Sequence, residues 1–144
     1  MAKKTILLAD EDKELLKRLR ALLSKEFKVL GAATDGKTLV SMARDLKPQA
    51  VVADVRLPLV NGIQAIRRIR KQNPDVCVVF LTDREEARYA VRAAQAGASG
   101  YVMKDSAADQ LARAVHDALC GRMFVSPCLE FRIKNAPGKP ALQG

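Results

Sequence analysis

Short apolar runs alternate along the chain with longer stretches in which apolar residues recur at helical spacing. The runs are rich in Val, Ile and Leu and predict strands buried on both faces. We place these strands near residues 5–9, 27–33, 49–53, 76–81 and 99–103. Between them, apolar residues three and four positions apart predict amphipathic helices. The helical stripes are Leu15, Leu16, Leu19, Leu22 and Leu23; Leu39, Val40, Ala43 and Leu46; Ile63, Ile66 and Ile69; Ala87, Ala90, Val91 and Ala94; and Leu111, Val115, Ala118 and Leu119.

This alternation predicts an α/β fold. Consecutive βα units form a parallel sheet with helices on both faces, and we expect five strands in the order 2-1-3-4-5. Asn61 is a plausible cap for the third helix, and the last helix is expected to end at Gly121. The periodicity fades from about residue 122. We therefore assign one domain to residues 1–126 and a linker or disordered tail to 127–144.

Polar residues close four of the predicted strands. Asp10 and Glu11 follow the first strand, Asp54 ends the third, Thr82 ends the fourth and Lys104 follows the fifth. Because the carboxyl ends of parallel strands meet at one edge of a sheet, we expect these side chains to lie close together.

The residue types at this edge indicate phosphoryl chemistry. Three crowded carboxylates (Asp10, Glu11 and Asp54) repel one another and require a cation, and Mg²⁺ takes such oxygen ligands and often a phosphate. A carboxylate can also act as a nucleophile and form an aspartyl phosphate, and Asp54 occupies the central position for that role. Lys104 offers a positive charge and Thr82 a hydroxyl to the phosphoryl oxygens.

Composition changes this interpretation little. The chain has 144 residues, a formal net charge of +9 and three cysteines without metal-ligand spacing. Its apolar runs are far shorter than the roughly 20 residues that cross a bilayer, and acidic residues interrupt any signal-peptide pattern, so we expect a cytoplasmic protein without a membrane partner. Most basic residues are interpreted as solvated helix faces, with an anionic partner as the alternative.

The motifs around these strand ends resemble the receiver domain of two-component response regulators, the CheY-like family with a flavodoxin-like fold. The resembling segments are residues 6–11, 53–58 with 61–62, 80–82 and 100–105. Residues 121–127 and the pair Lys104-Asp105 are similar to those of the NarL/LuxR subgroup.

The resemblance implies a role for each strand-end residue. Asp54 would accept a phosphoryl group from a histidine kinase, and Lys104 would bind the phosphate. Asp10, Glu11, Asp54 and the main-chain carbonyl of Arg56 would hold Mg²⁺. The switch pair would be Thr82 and Tyr101.

The resemblance also implies a phosphorelay protein that regulates transcription. The chain would be a self-phosphorylating and self-dephosphorylating switch rather than a turnover enzyme. It is expected to be able to form a homodimer on phosphorylation, and to reach DNA only through a C-terminal helix-turn-helix domain absent from this chain.

Three departures from the family pattern keep alternatives open. Glu11 replaces the usual Asp, Leu59 stands where Gly is common, and Asp83 brings a negative charge next to Thr82. Arg56 and Arg84 occupy variable positions associated with phosphoryl lifetime. The main alternative is a pseudo-receiver, an interaction module without phosphotransfer. A flavodoxin-like nucleotide-binding domain and a nucleic-acid-binding protein are weaker alternatives.

Overall fold

The computed structural model describes residues 2–83 and 97–127, which form a parallel sheet covered by helices on both faces. The sheet has six strands in the order β2-β1-β3-β4-β5-β6. The strands are β1 (Thr5–Ala9), β2 (Lys28–Ala33), β3 (Ala50–Asp54), β4 (Cys77–Thr82), β5 (Gly100–Met103) and β6 (Phe124–Val125). The helices are α1 (Lys13–Leu23), α2 (Gly36–Leu46), α3 (Gly62–Gln72) and α4 (Ala107–Leu119), the last preceded by a 3-10 turn, Lys104–Ser106.

The predicted order of the first five strands is confirmed, and a sixth parallel strand is added at the edge. Strand β6 pairs Phe124 with Gly100 and Val125 with Tyr101. A strand of two residues is too short to show a pattern of apolar positions, so the sequence analysis missed it. The helix predicted from the stripe at 87–94 and the tail beyond 127 lie outside the described residues.

Apolar residues form one core cluster on each face of the sheet. One cluster packs α2 and α3 against side chains such as Leu7, Val51 and Phe80. The other packs α1 and α4 against Ile6, Val52 and further residues that point the opposite way. Successive strand residues point to opposite faces, so a strand covered on both sides must be apolar throughout. This explains the continuous apolar runs in the sequence.

Side-chain caps fix where three helices begin. Asp12 accepts hydrogen bonds from the amides of Glu14 and Leu15 at the start of α1. Asp35 caps α2, and Asn61 caps α3 by accepting from the Gln64 amide at 2.9 Å, as the sequence predicted. These caps satisfy amides that have no partner within the helix. They also set the lengths of the loops that follow β1, β2 and β3.

The loop after β3 is held by a close approach of backbone to backbone. A Cβ atom on Gly62 would lie 2.0 Å from the Asp54 carbonyl oxygen. Only glycine lets the start of α3 pack this tightly against the end of β3, and the Gly62 amide donates to the Val55 carbonyl at 3.1 Å. Among the described residues, no helix is long and apolar enough to cross a membrane.

Candidate functional site

An open cleft of about 450 Å³ lies at the carboxyl edge of the sheet, above the ends of β1, β3 and β5. Its lining is mostly charged: Asp10, Glu11, Asp12, Asp54, Arg56, Asp83 and Lys104, together with Leu57 and Pro58. The structure thus places four of the five strand-end residues predicted from the sequence in one cleft. The fifth, Thr82, does not line it.

Asp54 and Asp10 are buried at the floor of this cleft, with 4% and 1% of their surfaces exposed. Oδ1 of Asp54 accepts a hydrogen bond from the Arg56 amide at 3.0 Å, and Oδ1 of Asp10 accepts one from the Asp12 amide at 2.9 Å. Each carboxylate is therefore oriented by an amide two residues further along the chain. In both residues the second oxygen, Oδ2, faces Lys104.

Lys104 joins the two carboxylates. Its ammonium Nζ lies 2.6 Å from Oδ2 of Asp54 and 3.1 Å from Oδ2 of Asp10. Burial lowers the pKa of Lys104, but its hydrogen bond to Asp54 and the negative charges of Asp54 and Asp10 outweigh burial, so the pKa is raised. The ammonium therefore stays charged across the physiological range.

Asp10 experiences the opposite balance. Burial raises the pKa of its carboxyl, and the charge of Asp54 adds to this effect. The hydrogen bond from Asp12 and the charge of Lys104 lower it, without compensating fully. One ammonium shared between two buried carboxylates leaves an excess negative charge, which is the electrostatic condition that favours binding of a further cation.

The donor set fits a divalent cation that needs few protein ligands. Oδ2 of Asp10 is buried and, apart from its ionic contact with Lys104, accepts no hydrogen bond from the described residues. Glu11 is exposed at the rim, and within residues 2–83 and 97–127 no three acidic, histidine or cysteine side chains converge into a preformed metal cluster. Mg²⁺ commonly keeps several waters and binds through one or two carboxylates, so it suits this arrangement.

The two residues expected to form a switch pair are both buried, and neither lines the cleft. Thr82 is 1% exposed, and its hydroxyl donates to the Asp83 carbonyl at 3.2 Å. Tyr101 is also 1% exposed and stacks on Phe80, with ring centroids 6.5 Å apart. Its hydroxyl finds no hydrogen-bond partner among the described residues, and burial raises the pKa of Tyr101.

Sequence reasoning missed one buried polar residue close to this site. Ser126 is 1% exposed, and its hydroxyl accepts a hydrogen bond from the amide of Met103, the residue before Lys104. The strand before Ser126 has only two residues, Phe124 and Val125, which is too short a run to predict a strand from periodicity. Only the contacts in the folded chain therefore identify Ser126 as a buried residue.

The comparisons with known proteins agree with this geometry. The sequence model of the response regulator receiver domain matches residues 6–116. The response regulator GacA of Pseudomonas aeruginosa is 35% identical over 99 residues, covering 69% of this chain and 46% of that protein. The nitrate/nitrite response regulator NarL of Escherichia coli is 29% identical over 127 residues, covering 87% of this chain and 59% of that protein.

Solved structures show the same likeness. A LuxR-family two-component response regulator from Aurantimonas sp. SI85-9A1 superposes with a TM-score of 0.85 at 30% identity, covering 92% of this chain and 96% of that one. The receiver domain of the putative regulator NarL from Mycobacterium tuberculosis gives a TM-score of 0.79 at 25% identity, covering 85% and 100%. The chain spans about half the length of the curated relatives such as GacA. With its fold, acidic cleft and matched motifs, this chain belongs to the response regulator receiver domain family, in the NarL/LuxR subgroup.

Proposed function

We propose that this chain is a phosphorylation-switched receiver in which Asp54 accepts a phosphoryl group from a histidine kinase. The observation that supports this most directly is the contact of 2.6 Å between Lys104 Nζ and Oδ2 of Asp54, at the floor of an open cleft. A half-buried ammonium whose pKa is raised by the carboxylates beside it is suited to stabilise charge on a group transferred to Asp54.

In the proposed reaction, a carboxylate oxygen of Asp54 attacks the phosphorus atom of the donor. The new phosphorus–oxygen bond forms while the bond from phosphorus to the donor breaks, and the donor leaves with the electron pair. The Lys104 ammonium moves from Oδ2 of Asp54 to an oxygen of the phosphoryl group. Water later cleaves the acyl phosphate and restores the carboxylate, so the net result of one cycle is hydrolysis of the donor.

We propose that Asp10, Glu11, Asp54 and the main-chain carbonyl of Arg56 hold Mg²⁺. When bound, this ion neutralises negative charge on the phosphoryl oxygens. Asp10 provides a buried oxygen for it at Oδ2. Glu11 is exposed and carries one methylene more than aspartate, so its carboxylate would have to fold towards the cleft to contribute.

The switch would connect Asp54 to Thr82 and Tyr101. Phosphorylation would draw the Thr82 hydroxyl away from the Asp83 carbonyl, which it contacts at 3.2 Å. Tyr101 would respond by a change in its packing, and the surface around β5 and α4 would change with it. Phosphorylation would thus shift the population between two states of the same fold.

We further propose that the output of this switch is control of transcription. Two further relatives, LnrK of Bacillus subtilis and DegU of Brevibacillus brevis, are transcriptional regulatory proteins, and this chain covers 60% and 48% of their lengths. A DNA-binding helix-turn-helix domain beyond this chain, a homodimer on phosphorylation and a cytoplasmic location all belong to this proposal.

The test is phosphorylation by a small acyl phosphate donor in the presence of Mg²⁺, followed by intact-mass measurement. We expect one phosphate adduct on the wild-type chain and none on Asp54→Asn. Asp83→Asn is the matched control, because it makes the same change of charge within the cleft without removing the nucleophile. An adduct that persists in Asp54→Asn would refute the proposed nucleophile.

One observation favours the pseudo-receiver alternative. Glu11, one of the proposed Mg²⁺ ligands, is exposed at the rim of the cleft. The same assay separates the two functions. A chain that takes no phosphate and binds no beryllium fluoride, an analogue of the phosphoryl group, would be an interaction module with the receiver fold.

A further inference from the structure

Ser126 ties the segment after α4 to its neighbours by three hydrogen bonds, two to strand β5 and one to helix α4. Its amide donates to the Tyr101 carbonyl at 2.9 Å. Its hydroxyl accepts from the Met103 amide at 3.1 Å and donates to Oε1 of Gln110 at 2.6 Å. The donor and acceptor capacities of this buried hydroxyl are both used. One side chain therefore links β5, α4 and the segment that leaves the domain.

The hydrogen bond from Met103 extends to the acidic cleft. Met103 is the last residue of β5, and the next residue is Lys104, whose ammonium contacts Asp54 and Asp10. Backbone pairing between β5 and β6 ends at Tyr101 and Val125. The Ser126 hydroxyl extends this pairing by one position and fixes the backbone immediately before Lys104.

The remaining contacts of this segment are specific but few. A Cβ atom on Gly100 would lie only 3.1 Å from the carbonyl oxygen of Phe124. Glycine at position 100 therefore permits the close pairing of β5 with β6. The Arg113 guanidinium lies 5.6 Å from the centroid of the Phe124 ring. Phe124 and Val125 are only half-buried. A strand of two residues with this little burial is held far less strongly than the central strands, so it can open locally.

We propose that Ser126 is a positioning residue for Lys104. We further propose that docking of residues 124–126 on β5 is coupled to binding of a phosphoryl group in the acidic cleft. This inference rests on the proposed function, because phosphorylation of Asp54 requires the Lys104 ammonium to leave Oδ2 and bind the phosphoryl group. The backbone at Met103 and Lys104 sets how well it can do so. Coupling of this kind is reciprocal: docking favours occupancy of the cleft, and occupancy favours docking.

The test measures the affinity for beryllium fluoride with Mg²⁺ in wild type and three variants. Ser126→Ala removes the hydroxyl, and Gln110→Ala removes its acceptor while leaving the bond from Met103. Ser99→Ala is the matched control, because Ser99 also accepts a hydrogen bond from a strand amide, that of Val78 at 3.4 Å, but at the opposite end of the sheet. Hydrogen exchange at residues 124–126 is measured with and without beryllium fluoride.

We expect Ser126→Ala to weaken binding about threefold to tenfold, because it removes the hydrogen bond that fixes the Met103 amide as well as the bond to Gln110. Gln110→Ala should cause a smaller loss of affinity. Ser99→Ala should bind beryllium fluoride within about twofold of wild type, because the hydrogen bond that it removes is remote from Lys104. In wild type, beryllium fluoride should slow exchange at residues 124–126. Exchange reports coupling that a merely structural role for Ser126 would not produce.

Three results would overturn the inference. The first is wild-type affinity for beryllium fluoride in Ser126→Ala, and the second is a loss of affinity in Ser99→Ala as large as in Ser126→Ala. The third is hydrogen exchange at residues 124–126 that beryllium fluoride does not change. A wild-type chain that binds no beryllium fluoride would instead overturn the proposed function, and the role of Ser126 with it. Binding by wild type together with unchanged binding by Ser126→Ala would overturn only the role of Ser126.

Discussion

Replacing Asp10 by asparagine is expected to stabilise the fold, although it removes a residue of the proposed site. Within the cleft, two buried carboxylates share the ammonium of Lys104. Burial raises the pKa of Asp10 despite that ammonium, so the fold favours the uncharged side chain. Asparagine has the same shape without the charge, and its amide oxygen can still accept the hydrogen bond that Asp12 donates at 2.9 Å.

The distances allow the size of the effect to be bounded. At 3.1 Å the attraction between Asp10 and Lys104 is about 5 kcal/mol at an effective dielectric constant of about 20. Because Lys104 contacts both carboxylates, their Oδ2 atoms lie within about 6 Å of each other, which sets their repulsion at about 3 kcal/mol or more. Desolvation of a buried charge costs several kcal/mol, and Lys104 keeps Asp54 as its partner in the variant. We expect a net gain of about 1–2 kcal/mol for Asp10→Asn near neutral pH.

The pH dependence of the free energy of unfolding follows from the raised pKa of Asp10. The folded pKa of Asp10 lies above its ordinary value of 3.8, so the folded chain binds this proton more tightly than the unfolded chain. The resulting stabilisation is complete below the unfolded pKa and is lost as the pH rises through the folded pKa. In Asp10→Asn this loss should disappear.

Urea unfolding between about pH 4 and pH 8, without divalent cations, measures both effects. Asp83→Asn serves as a control for the general removal of one acidic residue from the cleft lining. A variant that is less stable than wild type at neutral pH, or one with the same dependence on pH, would refute the electrostatic account.

Three further predictions concern the same end of the sheet. Lys104→Met should cost about 3–5 kcal/mol in urea unfolding, because it leaves two buried carboxylates without their cation, and added Mg²⁺ should recover more stability in this variant than in wild type. Leu59→Gly should raise stability by up to about 1 kcal/mol in thermal unfolding, because Leu59 has φ +67° and is 80% exposed, so strain is relieved without loss of burial; destabilisation would show that this backbone is unstrained. Asn61→Ala should cost about 1 kcal/mol by loss of the α3 cap, whereas Gln64→Ala, which keeps the capped amide, should cost little.

The first five strands and the position of the site could be predicted from the sequence. Their apolar runs are continuous because both sheet faces are covered, and the polar residue that ends each run marks the carboxyl edge. Asp10, Asp54 and Lys104 were brought together by this reasoning alone, since parallel strands end at a common edge. The cap at Asn61 was equally predictable, because it depends on residues only three positions apart.

The contacts within the site were decided by the tertiary structure. The sequence predicted a cation among three carboxylates, but it could not show that Lys104 contacts Asp54 and Asp10 directly while Glu11 remains exposed. Nor could it show that the Thr82 hydroxyl binds a neighbouring carbonyl instead of lining the cleft. Side-chain direction at a strand end depends on the packing of the following loop, which local residue patterns do not specify.

The sixth strand is the clearest case of a feature that only folding determines. Phe124 and Val125 become a strand because β5 offers an unpaired edge, and Ser126 docks because the Met103 amide and Gln110 lie opposite it. Each of these partners lies 16 to 24 residues away along the chain. Sequence periodicity records the burial of whole faces, whereas a single hydrogen bond between distant residues leaves no periodic trace.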